Sequence, residues 1–147
     1  MHLQTPTTSF HLQIVGYEFP DLQPHHNNPY DPDWLLIRIT ATTLEGTWTV
    51  TDPSLLTSEV SYLIDWLTSL TTTPDPDTSL GFTEPDISFD FIQSTTLHVH
   101  LAAECKPPWS RNTSQDTILT FSLSDLDLTT TIQSLRSQLA QFPPRTL

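Results

Sequence analysis

Residues 34–70 read WLLIRITATTLEGTWTVTDPSLLTSEVSYLIDWLTSL, and the hydrophobic period changes once within this stretch. From Trp34 to Thr43, Leu35, Ile37, Ile39 and Ala41 alternate with Leu36, Arg38, Thr40 and Thr42, the period of two that turns one side of a strand toward a core. From Thr47 to Thr51, Trp48 and Val50 alternate with threonines in the same way. Pairing Ala41 with Trp48 and Ile39 with Val50 keeps the apolar residues on one face. It leaves the loop Thr43-Leu44-Glu45-Gly46, with glycine where a left-handed residue is wanted. Asp52-Pro53 then reads as an N-cap and first helical residue, because Asp accepts an orphan N–H and Pro has none to leave unpaired. Beyond it Leu56, Val60, Leu63, Ile64, Leu67 and Leu70 recur at steps of three and four. A hairpin that feeds an amphipathic helix needs further strands for the helix to cover.

Those strands lie on both sides. Phe10, Leu12 and Ile14 alternate with polar residues over 10–15, a strand that ends at Gly16. Tyr17 to Asp33 holds Pro20, Pro24, Pro29 and Pro32 with His25, His26, Asn27 and Asn28, a density of turn formers that predicts a long surface loop. On the C-terminal side three alternating sets follow: Ile87, Phe89 and Phe91; Leu97, Val99 and Leu101; Leu119, Phe121 and Leu123. They are separated by a turn at Ser94-Thr95-Thr96 and a loop from Lys106 to Gln115. Ser124 with Asp127 three residues on reads as a capping box, and Leu128, Ile132, Leu135, Leu139 and Phe142 carry a second helix. The order is β-β-β-α-β-β-β-α. It predicts one α+β domain over 1–147: an antiparallel sheet of about six strands, with helices near 53–70 and 125–142 packed on one face. Leu56, Leu63, Leu67, Ile132, Leu135 and Leu139 are expected to be buried.

Charge narrows the function classes. Five Lys and Arg against 17 Asp and Glu give the 147-residue chain a net charge of −12, which repels phosphate backbones and anionic membranes and attracts basic partners. Direct nucleic-acid or membrane binding is therefore not expected. A single Cys105 excludes an internal disulfide and reads as a reduced, buried hydrophobe in the cytoplasm. No apolar run approaches the roughly 20 residues of a membrane span, and Met1 to Phe10 lacks the charged and apolar regions of a signal peptide. Zinc-type Cys/His spacing, a P-loop, GxGxxG and GxSxG are all missing.

Few clusters carry chemistry. His98 and His100 share one side of a strand, and matching Phe91 to Val99 across the turn puts Asp90 opposite His100, a His/His/carboxylate set of the kind metals and general bases use. Open sheet faces carry such residues without either role, and spacing fixes no further ligand, so no catalytic residue, cofactor or metal is expected. His25-His26 reads as a solvated loop. Asp75, Asp77, Glu84 and Asp86 cluster around Pro74, Pro76 and Pro85; calcium is the chemistry to consider, but the glycine-bearing EF-hand spacing is missing. Lys106 to Arg111 joins an aromatic to two cations, too little for a nucleic-acid platform.

Read in order, GYEFP (16–20), YDPDWLLIR (30–38), WTVTDPSLLTSEV (48–60), DWL (65–67), LGFTEPDISFD (80–90), AECKPPW (103–109) and QFPPR (141–145) resemble the WapI family of bacterial immunity proteins. The resemblance spans about Gly16 to Arg145. It implies a cytoplasmic, non-catalytic partner that binds and neutralises the toxin domain of a WapA-like contact-dependent system, typically an RNA-cleaving nuclease. A basic toxin would then be met by clustered carboxylates: Asp75, Asp77, Glu84 and Asp86, continued across the open sheet face by Asp90, His98 and His100. The rival reading is a small-ligand module or small enzyme working through Asp90, His98 and His100.

Overall fold

A computed structural model describes residues 1–23, 30–72 and 77–145. The strands are β1 (His2–Gln4), β2 (Ser9–Tyr17), β3 (Trp34–Thr43) and β4 (Gly46–Leu56), then β5 (Thr78–Leu80), β6 (Ile87–Ile92), β7 (Thr96–Leu101) and β8 (Thr117–Ser122). Helix α1 (Thr57–Thr72) follows β4, and α2 (Leu128–Gln141) follows β8. Each half of the chain is thus a four-stranded antiparallel meander followed by a helix, in sheet orders β1-β2-β3-β4 and β5-β6-β7-β8. The α+β class stands, but the single sheet of about six strands is divided into two sheets of four. The two unforeseen strands, β1 and β5, have three residues each, too few for alternation to register.

The division has a physical cause at β4, an edge strand. Its register slips between Leu35 and Leu36, which pair with Leu55 and Pro53, so Ser54 bulges and Pro53 offers no N–H. An edge blunted by a bulge and a proline does not extend a ladder. The two sheets instead meet through their apolar sides, where the Phe10 ring of β2 stands edge-on to Phe89 of β6 at 6.2 Å. Phe10, Leu12, Ile37, Ile39, Phe89, Val99 and Phe121 are all buried in that shared core.

Ala41 pairs with Trp48 and Ile39 with Val50, as the alternation requires. The turn is tighter than expected, since Thr43 pairs with Gly46 and only Leu44-Glu45 lies between them. Gly46 has φ +153°, and a Cβ there would sit 3.0 Å from the Trp109 ring, so both backbone and neighbour require glycine. The β6–β7 register also differs. Gln93 and Ser94 adopt positive φ (53° and 58°) and close a shorter turn, which pairs Phe91 with Leu97 and places Asp90 opposite His98 rather than His100.

Both helices begin later than expected. Asp52 and Pro53 belong to β4, and α1 starts at Thr57, where the Glu59 carboxylate reaches back to accept the Leu56 N–H at 2.9 Å. Ser124 lies in a 3-10 turn (Leu123–Asp125), and the cap of α2 is Asp127 itself, accepting from the Thr130 N–H at 3.0 Å and its hydroxyl at 2.7 Å. Those bonds hold the Asp127 carboxyl below its usual range.

The helices pack on one another, and each reaches the leading strands of the other half. Trp66 of α1 lies against Phe89 at 6.0 Å and donates its indole N–H to Thr78 Oγ1. In α2 the Thr131 hydroxyl donates to the His2 carbonyl at 3.0 Å, and Gln138 Oε1 accepts the Ile14 N–H at 2.7 Å, pairing the edge of β2 beyond the reach of β1. Leu56, Leu63, Leu67, Ile132 and Leu135 are buried as expected, while Leu139 is half-buried at the rim. Among the described residues no helix is long and apolar enough to cross a membrane.

Candidate functional site

The carboxylates that read as one patch are carried to opposite ends of β6. Asp77 precedes β5, whose Thr78 pairs with Phe91, and it accepts the Gln93 N–H at 3.0 Å. With Asp90 it lines a groove of about 350 Å³. Glu84 and Asp86 precede Ile87 at the far end, and a strand of this length separates the two groups by roughly 15–20 Å. Asp75, like His25 and His26, lies outside the described residues.

At the Glu84 end the structure assembles a second acidic group. Glu18 follows β2 and donates its N–H to the Trp34 carbonyl, Asp31 opens a 3-10 turn before β3, and Asp52 lies in the bulged end of β4. Together with Glu84, Phe19 and Trp34 they line a cleft of about 390 Å³. Arg145 braces one wall, donating to the carbonyls of Phe19 and Pro20 (both 2.9 Å) and Pro32 (2.7 Å) while its guanidinium lies 3.9 Å above the Tyr17 ring. Among the described residues no Lys or Arg lines the cleft. Burial, and then the charges of Asp31, Asp52 and Glu84, push the Glu18 carboxyl above its usual range.

The cations that exist are largely occupied elsewhere. Lys106 is buried and donates to the Thr113 carbonyl at 2.6 Å, Arg111 donates to the carbonyls of Lys106 and Glu104, and Arg145 makes the contacts just described. Three of the five positive side chains therefore serve the fold. Trp109 is likewise anchored, edge-on to Trp48 at 5.5 Å with its N–H on Glu45 at 2.7 Å.

Asp86 was expected on the surface, yet it is only 6% exposed and shares a side-chain hydrogen bond with Asp52. Burial, that bond and the surrounding negative charge push its carboxyl up to about 6. Cys105 beside it is buried, as expected, and its thiol is pushed up to about 12, which leaves it unreactive. Because the folded value of Asp86 lies above the unfolded one, folding takes up a proton between about pH 4 and 6; the stabilisation is full below that window and lost as pH rises through it. Asp86→Asn, which keeps a donor for Asp52, should remove this loss and leave the variant more stable than wild type at pH 7, on the order of 1 kcal/mol. Urea titrations at pH 4 and pH 7 check it; an unchanged difference between the two proteins across that range rejects it.

On the outer face of the second sheet Asp90, His98 and His100 do converge, with Asp90 Oδ2 2.6 Å from His100 Nε2. The sequence marked none of Glu18, Asp31 and Asp52 as a site residue, and Asp52 read as a helix cap. They come from three separate segments, and the only sign was that each sits inside a segment on which the family resemblance rests.

A one-signed cleft edged by aromatic rings has the chemistry of a surface that takes up a cationic partner. Over residues 1–143 the chain matches the model of the Immunity protein WapI-like family, and it belongs to that family. It is thus an immunity protein, a class defined by a toxin partner. No curated protein and no solved structure matches it.

Proposed function

We propose that this protein neutralises the RNA-cleaving toxin domain of a WapA-like system, in the cytoplasm and without catalysis of its own, by covering the toxin's basic substrate channel. The observation that carries this reading is the acidic cleft formed by Glu18, Asp31, Asp52 and Glu84. An RNA-cutting domain needs cationic side chains along its channel. A toxin lysine or arginine entering the cleft relieves the repulsion among these carboxylates, so attraction is gained only in the complex. The net charge of −12 steers the encounter, and Phe19 with Trp34 supplies apolar anchorage. Asp77, Asp90, His98 and His100 form the rival contact face.

The two faces are separable by charge reversal, tested against the RNA-cleaving toxin domain of a WapA-like system. Asp31→Lys/Glu84→Lys should slow association at low salt by about tenfold or more and release RNA cleavage. Asp77→Lys/Asp90→Lys should leave both unchanged. The opposite pattern moves the contact to the outer sheet face, and RNA cleavage that the wild-type protein fails to inhibit rejects the nuclease reading.

A further inference from the structure

We propose that Asp90, His98 and His100 form a binding site for a divalent first-row transition metal, of which zinc is the representative, on the outer face of the second sheet. His98 and His100 are two residues apart on β7, so their side chains leave the sheet on the same side, and the cross-strand register seats Asp90 of β6 directly opposite His98. The sequence pattern already groups the same three donors, with Asp90 opposite His100; the tighter turn moves Asp90 opposite His98 and keeps it beside both histidines.

The geometry is that of a three-ligand site. One donor atom from each residue lies within 4.8 Å of the others, so a common point sits within about 2.8 Å of all three, against zinc–ligand distances of about 2.0–2.2 Å. Side-chain rotation on a sheet surface covers that difference. Asp90 Oδ2 and His100 Nε2 are hydrogen-bonded at 2.6 Å, a contact that a metal would replace by parting the two atoms, and the His98 ring lies 6.1 Å from the His100 ring at 71°. All three residues are partly buried, which limits the rotamer freedom lost on binding.

The surroundings favour a cation. The cross-strand neighbours on this face are Ser79, Ser88, Ile118 and Thr120, so no Lys or Arg stands in register to compete for Asp90. Two imidazoles and one carboxylate are a donor set that borderline metals accept, while hard cations such as calcium prefer oxygen throughout. Three protein donors leave the remaining coordination position to solvent, as in open rather than closed zinc sites. This site stands apart from the acidic cleft, and its test uses the protein without any toxin.

The test is a zinc titration of untagged protein against a chromogenic competitor, with cobalt as a second probe whose visible absorption reports four-coordinate geometry. One zinc per chain is expected, with affinity lowered about tenfold or more in each of His98→Ala, His100→Ala and Asp90→Asn. Thermal unfolding of the variants in chelator should match wild type, since all three side chains lie on the outer face. His2→Ala/His11→Ala, which removes the imidazole pair on the first sheet (rings 5.4 Å apart), should bind as wild type. Absence of saturable binding overturns the proposal. So does binding that survives His98→Ala and His100→Ala, or that is lost with His2 and His11.

Discussion

Phe89→Ala should lower the unfolding free energy by about 3–5 kcal/mol, the largest stability loss expected from a single truncation in this protein. The ring is fully buried and stands where three parts of the fold meet. It touches Phe10 of the first sheet at 6.2 Å, Trp66 of α1 at 6.0 Å and Phe82 of the preceding loop at 6.1 Å. Truncation removes the apolar area of one side chain and also leaves a cavity bounded by a strand, a helix and a loop from different layers, which cannot all close on it at once. With total stability of a domain this size about 5–15 kcal/mol, the variant is expected near the edge of folding. Phe89→Leu, which retains most of the volume, should lose less than half as much. Urea titration of the three proteins decides the matter. A loss under about 1 kcal/mol for Phe89→Ala would mean that the two sheets do not share a core.

The same junction shows what the sequence could disclose. The alternation at Phe10, Leu12 and Ile14, and at Ile87, Phe89 and Phe91, identified strands and inner faces, because a period of two is a local property of the backbone. That these strands belong to two sheets is not local. It depends on a bulge at Ser54 and on Pro53 standing at an edge, and Asp-Pro before an apolar run has the same local signature as a helix start. The register of β6 on β7 hung on two residues, Gln93 and Ser94, entering a left-handed conformation that neither residue type announces strongly. The grouping of the carboxylates was hidden for the same reason. Asp77 and Glu84 are close in sequence but are parted by the run of β5 and the segment after it, which carries them to opposite ends of β6, whereas Glu18, Asp31, Asp52 and Glu84 are distant in sequence and meet at one cleft.

Glu59→Ala should cost about 2–4 kcal/mol and loosen one wall of the acidic cleft without touching a partner. Glu59 is 6% exposed, and its carboxylate accepts three hydrogen bonds: Oε2 from the Leu56 N–H at 2.9 Å, Oε1 from the Thr83 N–H at 2.6 Å and from the Thr83 hydroxyl at 2.7 Å. One side chain therefore both caps α1 and ties that helix to the segment leading into β6. Alanine leaves the Leu56 N–H buried without an acceptor and frees the Thr83 hydroxyl to turn to solvent, so the loss is smaller than three charge-assisted bonds would suggest. Glu59→Gln is not a neutral control. Its carbonyl can keep Thr83, but its amide group then presents hydrogens to the Leu56 N–H, and an intermediate loss is expected. Because Thr83 is followed by Glu84, releasing it should raise amide hydrogen exchange at Thr83 and Glu84 and slow association with a basic partner, while exchange in β7 and β8 stays as in wild type. Unchanged exchange at Thr83 and Glu84 in Glu59→Ala would show that the segment is held by Phe82 against Phe89 instead, leaving the carboxylate a helix cap alone.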